Sequence, residues 1–344
     1  MAEDPDDGPT AAVLAIDGGN SKTDVALVAD DGTLLASVRG PGASHEDFGL
    51  AEAMRRLGEL VRLAAGRANC PPGGLVARHT SACLAGADLP EEEAQLTAAI
   101  QAQGWSLTSA VANDTFAVLR AGLSPGEGER PWGIAVTCGA GINCVGVGPD
   151  GETTRFLAFG TLTGDWGGGL GLGREVMWWA ARAEDGRGEP TALRTAVPAY
   201  FLLPSMHAVS VAFHRGELGE DDLIRLPVVL FETAEAGDAV AKSLIERQAE
   251  EVCAMALTAM RRLDLDGAQG IPVVLGGGVL EARNPLLTEA ISSRLAAAAP
   301  GAVARVVGTP PVTGAALLGL DYLGAGPARR RPRLTHSLRR LGPG

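Results

Sequence analysis

One arrangement of short strands and turns occurs twice in this chain of 344 residues. In each copy an apolar run ends at a glycine-rich turn, a second apolar run follows, and an Asp-Gly turn leads into a third. The two Asp-Gly turns lie at residues 31–32 and 150–151, which are 119 residues apart. Short apolar runs joined by tight turns predict an antiparallel meander of three strands. The repeat therefore predicts a duplicated fold with two similar lobes, and a chance match of two short patterns is the alternative.

The remaining segments alternate between the spacing of helices and that of strands. Residues 46–68 have apolar side chains at helical spacing, and Ser44 is a plausible N-cap for that helix. The predicted strands are 13–16, 25–28, 34–38, 75–84, 107–112, 134–137, 143–147, 153–159, 271–275 and 303–307. Further helices are predicted at 90–103, 115–121, 284–298 and 313–323, and helices dominate residues 170–262. Alternating helices and strands predict an α/β layer fold.

The composition of the chain limits the kinds of molecule that the protein could bind. Hydrophobic residues make up 46% of the chain and charged residues 20%, which favours a packed core over disorder. The 29 basic and 41 acidic residues give a net charge of −12, which argues against a nucleic-acid partner. The acidic first ten residues are unlike a signal peptide, and no apolar run is long enough to span a membrane. We therefore expect a cytoplasmic protein that binds neither nucleic acid nor membrane.

Three glycine-rich turns follow predicted strands, at residues 17–21, 139–141 and 276–278. Glycine lets successive backbone N–H groups approach an anion closely, so three such turns favour a site for nucleotide phosphates. The Walker sequence is absent, and no turn has the glycine and acidic spacing of a nicotinamide-binding unit.

Two carboxylates lie at the ends of predicted strands. Asp17 stands at the first glycine turn, where it could hold Mg²⁺ through water, or it could simply form the turn. Asp114 lies between the strand at 107–112 and the following helix, the junction at which α/β enzymes place reactive groups. An ordinary N-cap is the alternative for Asp114.

Five segments, taken in order, resemble the BadF/BadG-type ATPase family, and within it the N-acetylglucosamine kinase branch. They are LAIDGGNSKTDVALVADDG (14–32), VANDTFAVLRAG (111–122), VTCGAGINCVGVGPDG (136–151), GDWGGGLGLGREV (164–176) and VVLGGGV (273–279). The resemblance implies two actin-like (ribonuclease H-like) lobes with a nucleotide cleft between them. It also implies ATP and Mg²⁺ as cofactors, a small-molecule sugar as substrate, and a homodimer.

The resemblance also implies a role for individual residues. Asp114 matches the catalytic base, which also contacts the sugar, and Asp17 matches the carboxylate associated with Mg²⁺. The cofactor-binding residues that it implies are Gly18, Gly19, Asn20, Ser21, Lys22, Gly139, Ala140, Gly141, Gly276, Gly277 and Gly278. The sugar ligands that it implies, besides Asp114, are Ser44, His45, Asn143 and Asp165.

Some positions depart from the pattern of this branch. Ala140 and Ile142 stand where Thr and Ser usually flank the second glycine of the phosphate turn. Ser44 or His45 replaces an Asn of the early sugar loop, and Ala85 replaces a Ser near the acetamido group. Backbone N–H groups can still bind phosphate, so these changes bear on the identity of the sugar.

The expected organisation has four parts. Residues 1–11 form a disordered leader, residues 12–118 form an N-terminal lobe that the last helix (313–324) completes, and residues 119–312 form a C-terminal lobe. The tail, residues 327–344, carries six arginines and is interpreted as a solvated terminus.

The function favoured is transfer of the γ-phosphoryl group of ATP to the 6-hydroxyl of an amino sugar, above all N-acetylglucosamine. One alternative is an ATPase that activates a partner enzyme through an iron–sulfur cluster, for which Cys138 and Cys144 are the candidate ligands. Others are a kinase for another hexose, such as glucosamine or glucose, and a sensor that has lost catalysis. The five cysteines include no C-x-x-C, so neither a zinc site nor a disulfide framework is indicated.

Overall fold

The computed structural model describes residues 11–71, 74–123 and 131–324, together with Leu334. The described residues divide into two compact units. The first comprises those up to Pro131 and those from Val307 onward, and the second is Trp132–Val306.

The first unit contains a mixed sheet of five strands in the order β3-β2-β1-β4-β5. These strands are β1 (Ala11–Gly18), β2 (Lys22–Val28), β3 (Leu34–Pro41), β4 (Ala77–Leu84) and β5 (Ser106–Asn113). The first three form an antiparallel meander, whereas β4 and β5 run parallel to β1. The helices are α1 (His45–Phe48), α2 (Leu50–Arg67), α3 (Pro90–Gln101), α4 (Asp114–Gly122) and, from the end of the chain, α13 (Pro311–Tyr322).

The second unit repeats this topology with the order β10-β9-β6-β7-β8. Its strands are β6 (Gly133–Cys138), β7 (Ile142–Val147), β8 (Thr153–Arg155), β9 (Ile271–Gly276) and β10 (Ala302–Val306). Again the first three strands are antiparallel, and the last two run parallel to the first. The expectation of an α/β fold with two similar lobes is confirmed, because the sheets match strand for strand.

Helices fill most of the second unit. They are α5 (Gly168–Asp185), α6 (Leu193–Tyr200), α7 (Met206–His214), α8 (Glu220–Leu223), α9 (Pro227–Glu235), α10 (Ala239–Arg262), α11 (Gly278–Glu281) and α12 (Pro285–Ala298). The longest, α10, buries twelve residues along one side, since its apolar positions recur at helical spacing. It packs against α9, α12 and the sheet.

Both faces of β1 are buried, which explains its continuous apolar sequence. Leu14 and Ile16 belong to the core beneath α2, whereas Val13 belongs to the core beneath α13. Helix α13 approaches this second face closely because Gly319 has no side chain; a Cβ there would lie 2.5 Å from a methyl carbon of Val13. The end of the chain therefore completes the first unit.

The structure corrects two predicted elements. The strand predicted at 153–159 ends at Arg155, and Ala158, with a positive φ of 57°, does not have the backbone conformation of a strand. The helix predicted at 46–68 is interrupted at Gly49. This residue has a φ of 78°, which glycine adopts more readily than any other residue. The side chain of Ser44 makes no capping hydrogen bond to α1.

The two predicted terminal segments lie mostly outside the described residues. Of the leader predicted at 1–11, only Ala11 is described, and it is the first residue of β1. Of the tail at 327–344, only Leu334 is described. It is fully buried in the core that β1 and α13 share, so the interpretation of the tail as a solvated terminus is wrong at this residue.

No helix within the described ranges is both long and apolar enough to cross a membrane.

Candidate functional site

The carboxyl ends of β1, β4 and β5 meet at one edge of the first sheet. Gly18 is in register with Leu84, and Leu84 is in register with Asn113. The backbone N–H of Ala85 donates a hydrogen bond of 2.8 Å to the carbonyl of Gly18, which joins the first two strand ends. The residues predicted from three separate segments, Asp17, Ala85 and Asp114, therefore lie along the same edge.

Asp17 is a nearly buried carboxylate at this edge, with an exposed fraction of 9%. It stands directly opposite Asp24 on the antiparallel strand β2. Burial raises the pKa of Asp17 from 3.8 to about 8; the nearby Asp114 and Asp24 carboxylates also raise it, whereas Lys22 and Arg39 lower it. The Asp17 carboxyl therefore favours its protonated form near pH 7, and a bound cation would stabilise its ionised form.

Asp24 has a partner of its own on the next strand. Its two carboxylate oxygens accept hydrogen bonds of 2.7 and 2.9 Å from the Arg39 guanidinium. Such two-point pairing fixes the orientation of both planar groups. The row Asp17–Asp24–Arg39 therefore crosses three adjacent strands and holds Asp24 in place beside Asp17.

Asp114 is the first residue of α4. The cap of this helix is the preceding residue, Asn113, whose side-chain oxygen accepts a hydrogen bond of 2.9 Å from the Thr115 N–H. The alternative that Asp114 is the N-cap is therefore wrong. Burial raises the pKa of Asp114, and hydrogen bonds from Thr115 lower it by a smaller amount.

The strand end that carries Asp114 is braced by residues that the sequence motifs did not indicate. The Asn113 side-chain amide donates a hydrogen bond of 2.7 Å to Asp88, and its backbone N–H donates one of 3.2 Å to Glu93. These two acids lie between β4 and the middle of α3, where isolated carboxylates give no sequence signal.

The first glycine turn is a tight hairpin between β1 and β2. The Gly19 N–H donates to the carbonyl of Lys22 over 2.9 Å, and the side chains of Asn20, Ser21 and Lys22 are exposed. Gly42 packs directly on this turn, because a Cβ at Gly42 would collide with the carbonyl of Asn20.

The loop after Gly42 carries the predicted sugar ligands Ser44 and His45. Ser44 is buried, and its hydroxyl oxygen has no hydrogen-bond partner among the described residues. His45 is half-buried at the start of α1. Glu46, which no motif indicated, places its carboxylate against Gly86, where a Cβ would lie 2.8 Å from a carboxylate oxygen. The structure therefore brings the 42–46 loop to the same strand ends.

The second unit has a corresponding edge at the ends of β6 and β9. Thr137 is in register with Gly276, so the turns that follow the two strands are neighbours. Gly277 has a φ of 84°, and a Cβ there would lie 2.5 Å from the carbonyl group of Cys138. The glycine turns predicted at 139–141 and 276–278 are therefore in contact, backbone against backbone.

The turn at 139–141 is also joined to the start of α5. The carbonyls of Gly139 and Ala140 accept hydrogen bonds of 2.8 and 2.9 Å from the N–H groups of Gly169 and Leu170. A trans peptide points its N–H away from its own carbonyl, and the described residues contain no cis peptide. The N–H groups of Ala140 and Gly141 are consequently directed away from α5, on the side where an anion could accept hydrogen bonds from both.

The two sugar ligands predicted in this unit occupy different elements. Asn143 lies in β7 opposite Thr137, and its side-chain oxygen accepts a hydrogen bond of 2.7 Å from the Cys144 N–H. Asp165 lies in the loop before α5, half-buried, and accepts a hydrogen bond of 2.5 Å from the Thr163 hydroxyl.

The described residues could hold Mg²⁺ only together with ligands from a nucleotide and from water. No group of three or more His, Cys, Asp or Glu side chains in the described ranges could enclose a metal ion. Asp17 can instead contribute one carboxylate, ionised when the cation binds, to an ion that phosphates and water also ligate, which is how Mg²⁺ binds nucleotides.

The model of the BadF/BadG/BcrA/BcrD ATPase family matches residues 14–319. The chain belongs to this family. The prediction made from the five sequence segments is confirmed.

The chain is also similar to one curated protein and to solved structures. N-acetyl-D-glucosamine kinase of Dictyostelium discoideum is 24% identical over 315 residues, which span 90% of this chain and 97% of that protein. A candidate N-acetylglucosamine kinase from Chromobacterium violaceum has a TM-score of 0.70 at 24% identity, covering 91% of this chain and 100% of the other. One from Porphyromonas gingivalis has a TM-score of 0.66 at 20% identity, covering 90% and 99%. The actin-like type of lobe is thereby confirmed.

Proposed function

We propose that this protein is an ATP-dependent sugar kinase that transfers the γ-phosphoryl group to the 6-hydroxyl of N-acetylglucosamine. The family and the names of the relatives support this reaction class. The observation that carries the proposal is that Asp17 and Asp114, from distant segments, lie at one edge of the first sheet, where Gly18, Leu84 and Asn113 are in register.

Asp114 acts as the general base that accepts the proton of the sugar hydroxyl. Its raised pKa makes its carboxylate a stronger proton acceptor than an exposed aspartate. The Asn113 cap, itself bonded to Asp88, holds this end of α4 in position. In phosphoryl transfer the base contributes less than positioning and charge neutralisation, so the backbone turns carry much of the acceleration.

The nucleotide is assigned to the glycine turns and to Asp17. Mg²⁺, when bound with ATP, would neutralise phosphate charge, and Asp17 is the residue that would hold it. The N–H groups of Ala140 and Gly141 bind phosphate oxygens, which removes the need for the hydroxyl side chains that this turn lacks. The turns at 18–22 and 276–278 complete the proposed nucleotide contacts.

The sugar is assigned to Ser44, His45, Asn143 and Asp165, together with Asp114. The Ser44 hydroxyl supports this assignment because it is buried and has no partner among the described residues, and such a group gains most from a ligand. Ala85 has no hydrogen-bonding side chain to offer the acetamido group. We therefore expect the preference in kcat/KM for N-acetylglucosamine over glucosamine or glucose to stay below about 10⁴.

A coupled ADP-release assay over a panel of sugars tests the proposal. The wild type should release ADP much faster with N-acetylglucosamine than without sugar. Asp114→Asn should lower kcat by about 10²–10⁴, with a smaller change in ATP affinity. Asp266→Asn, the same chemical change in an exposed turn, is the matched control. Near wild-type turnover by Asp114→Asn would show that Asp114 is not the base.

The alternative of an iron–sulfur ATPase finds no support in the cysteines. Cys138 and Cys144 are both fully buried in the core of the second unit, and burial raises the pKa of each thiol. Neither can reach a cluster at a subunit surface without disrupting β6 and β7. A homodimer and a cytoplasmic location stay part of the proposal; light scattering on the purified protein tests the dimer.

A further inference from the structure

Gln248 is a fully buried polar residue in the middle of α10. A buried amide is costly unless its oxygen and nitrogen find partners. Both partners of Gln248 come from the glycine-rich segments of the second unit, which are far from it in sequence. Gln248 is not one of the residues given a role above, and no motif of the sequence includes it.

The side-chain oxygen of Gln248 is bonded to the first helical residue of α5. It accepts a hydrogen bond of 3.0 Å from the Gly168 N–H. The N-cap of α5 is Gly167, which has no side chain to accept hydrogen bonds from the free N–H groups of the first turn. Gln248 therefore supplies the capping oxygen that Gly167 lacks.

The contact requires glycine at the cap position. Gly167 has a φ of 110°, and a Cβ there would collide with the Gln248 amide. The other N–H groups of the first turn, those of Gly169 and Leu170, are bonded to the carbonyls of the 139–141 turn. The start of α5 is thus held by Gln248 on one side and by the 139–141 turn on the other.

The nitrogen of Gln248 fixes the direction of the amide. It lies 3.7 Å from the sulfur of Cys138, the last residue of β6, and donates to it. The amide therefore links the strand that leads into the 139–141 turn with the helix that binds the carbonyls of that turn.

We infer that Gln248 is a positioning residue for the nucleotide phosphates. It locks α5 against the 139–141 turn and so keeps the N–H groups of Ala140 and Gly141 directed away from α5. The inference rests on the proposed function only for the identity of the ligand, since the linkage itself is a property of the second unit.

Gln248→Met tests it, because methionine has a similar size and flexibility but accepts hydrogen bonds only weakly. Val252→Ala is the control, since Val252 lies one turn further along α10, is fully buried, and offers no hydrogen-bonding group. The readouts are the Kd for ADP by calorimetry, the KM values for ATP and sugar, the Tm, and hydrogen exchange at residues 138–141 and 167–170.

We expect Gln248→Met to weaken ADP binding and raise KM for ATP by about tenfold, with the sugar KM changed by less than about threefold. Exchange should increase in both glycine segments. Val252→Ala should lower Tm and leave the Kd for ADP within about twofold of wild type. If Gln248→Met does not fold, Cys138→Ala, which removes only the sulfur acceptor, should shift the same readouts in the same direction by a smaller factor.

Unchanged ADP affinity and exchange in every folded variant would overturn the inference. So would equal losses in the Val252→Ala control, because they would mark a purely structural role. A failure of the proposed function has a different signature. The wild type would then bind ADP and transfer phosphate to no sugar, while the effect of Gln248→Met on ADP binding and exchange would persist.

Discussion

Replacing Asp17 with asparagine should stabilise the protein while impairing its activity. At pH 7 the unfolded carboxyl is ionised, whereas the folded one, with a pKa raised from 3.8 to about 8, is mostly protonated. A group with a raised acid pKa contributes stability below its unfolded pKa, and this stability is lost as the pH rises toward the folded pKa. At about 1.4 kcal/mol per pH unit, the loss by pH 7 has an upper bound of about 4 kcal/mol.

The asparagine side chain does not titrate, so the stability of Asp17→Asn does not fall with pH in this way. The advantage in Tm should be small near pH 4, grow between pH 4 and pH 8, and stay level above pH 8. At pH 7 we expect a rise of at least about 4 °C, since 1 kcal/mol shifts the Tm of a unit of this size by about 2–4 °C. Differential scanning fluorimetry in EDTA, without nucleotide, measures the effect.

The same variant should lose kinase activity, because an amide is a poor ligand for Mg²⁺. Added Mg²⁺ and ATP should raise the Tm of the wild type more than that of Asp17→Asn. Asp266→Asn, in an exposed turn, controls for the loss of one negative charge and should show no such trend. A difference in Tm between Asp17→Asn and wild type that is independent of pH would refute the reasoning, because burial and neighbouring charge could not then be its cause.

Four further substitutions test the close packing of the two units. Gly168→Ala should abolish nucleotide binding in a calorimetric titration, since Gly168 has a φ of 70° and a Cβ would collide with the glycine turn. Gly314→Ala should cost about 1–3 kcal/mol in urea denaturation, because its Cβ would collide with the Ala117 carbonyl. Gly66→Ala should instead raise the free energy of unfolding by about 0.5–1 kcal/mol, because Gly66 lies in α2 with free space where a Cβ would be. Leu334→Ala should cost about 2–5 kcal/mol in the same experiment; no loss would show that Leu334 does not pack in the core.

The sequence predicted the parts of the fold that depend on local pattern. The repeated meander was visible because glycine and Asp-Gly turns interrupt apolar runs at fixed places. Asp17 and Asp114 were visible because each lies at the end of a strand, and parallel strands bring their carboxyl ends to one edge. Proximity of these two carboxylates therefore followed from topology once the strand order was known.

Other features depend on contacts between distant segments, which carry no local signal. Gln248 lies at an ordinary position of an amphipathic helix, and only the packed unit shows that its amide caps α5. Leu334 follows a run of arginines, so composition favoured a solvated tail over its burial against β1 and α13. The left-handed turn at Ala158 is likewise imposed by the surrounding structure, since alanine does not favour that conformation.

Identification of the reaction product is the decisive test of the kinase activity. Purified protein, Mg²⁺, ATP and N-acetylglucosamine are incubated together, and ³¹P and ¹H NMR follow the phosphate and the sugar. We expect N-acetylglucosamine 6-phosphate in amounts equal to the ADP formed, and almost none with Asp114→Asn. ATP hydrolysed to ADP and inorganic phosphate at one rate with or without any sugar of the panel would contradict it.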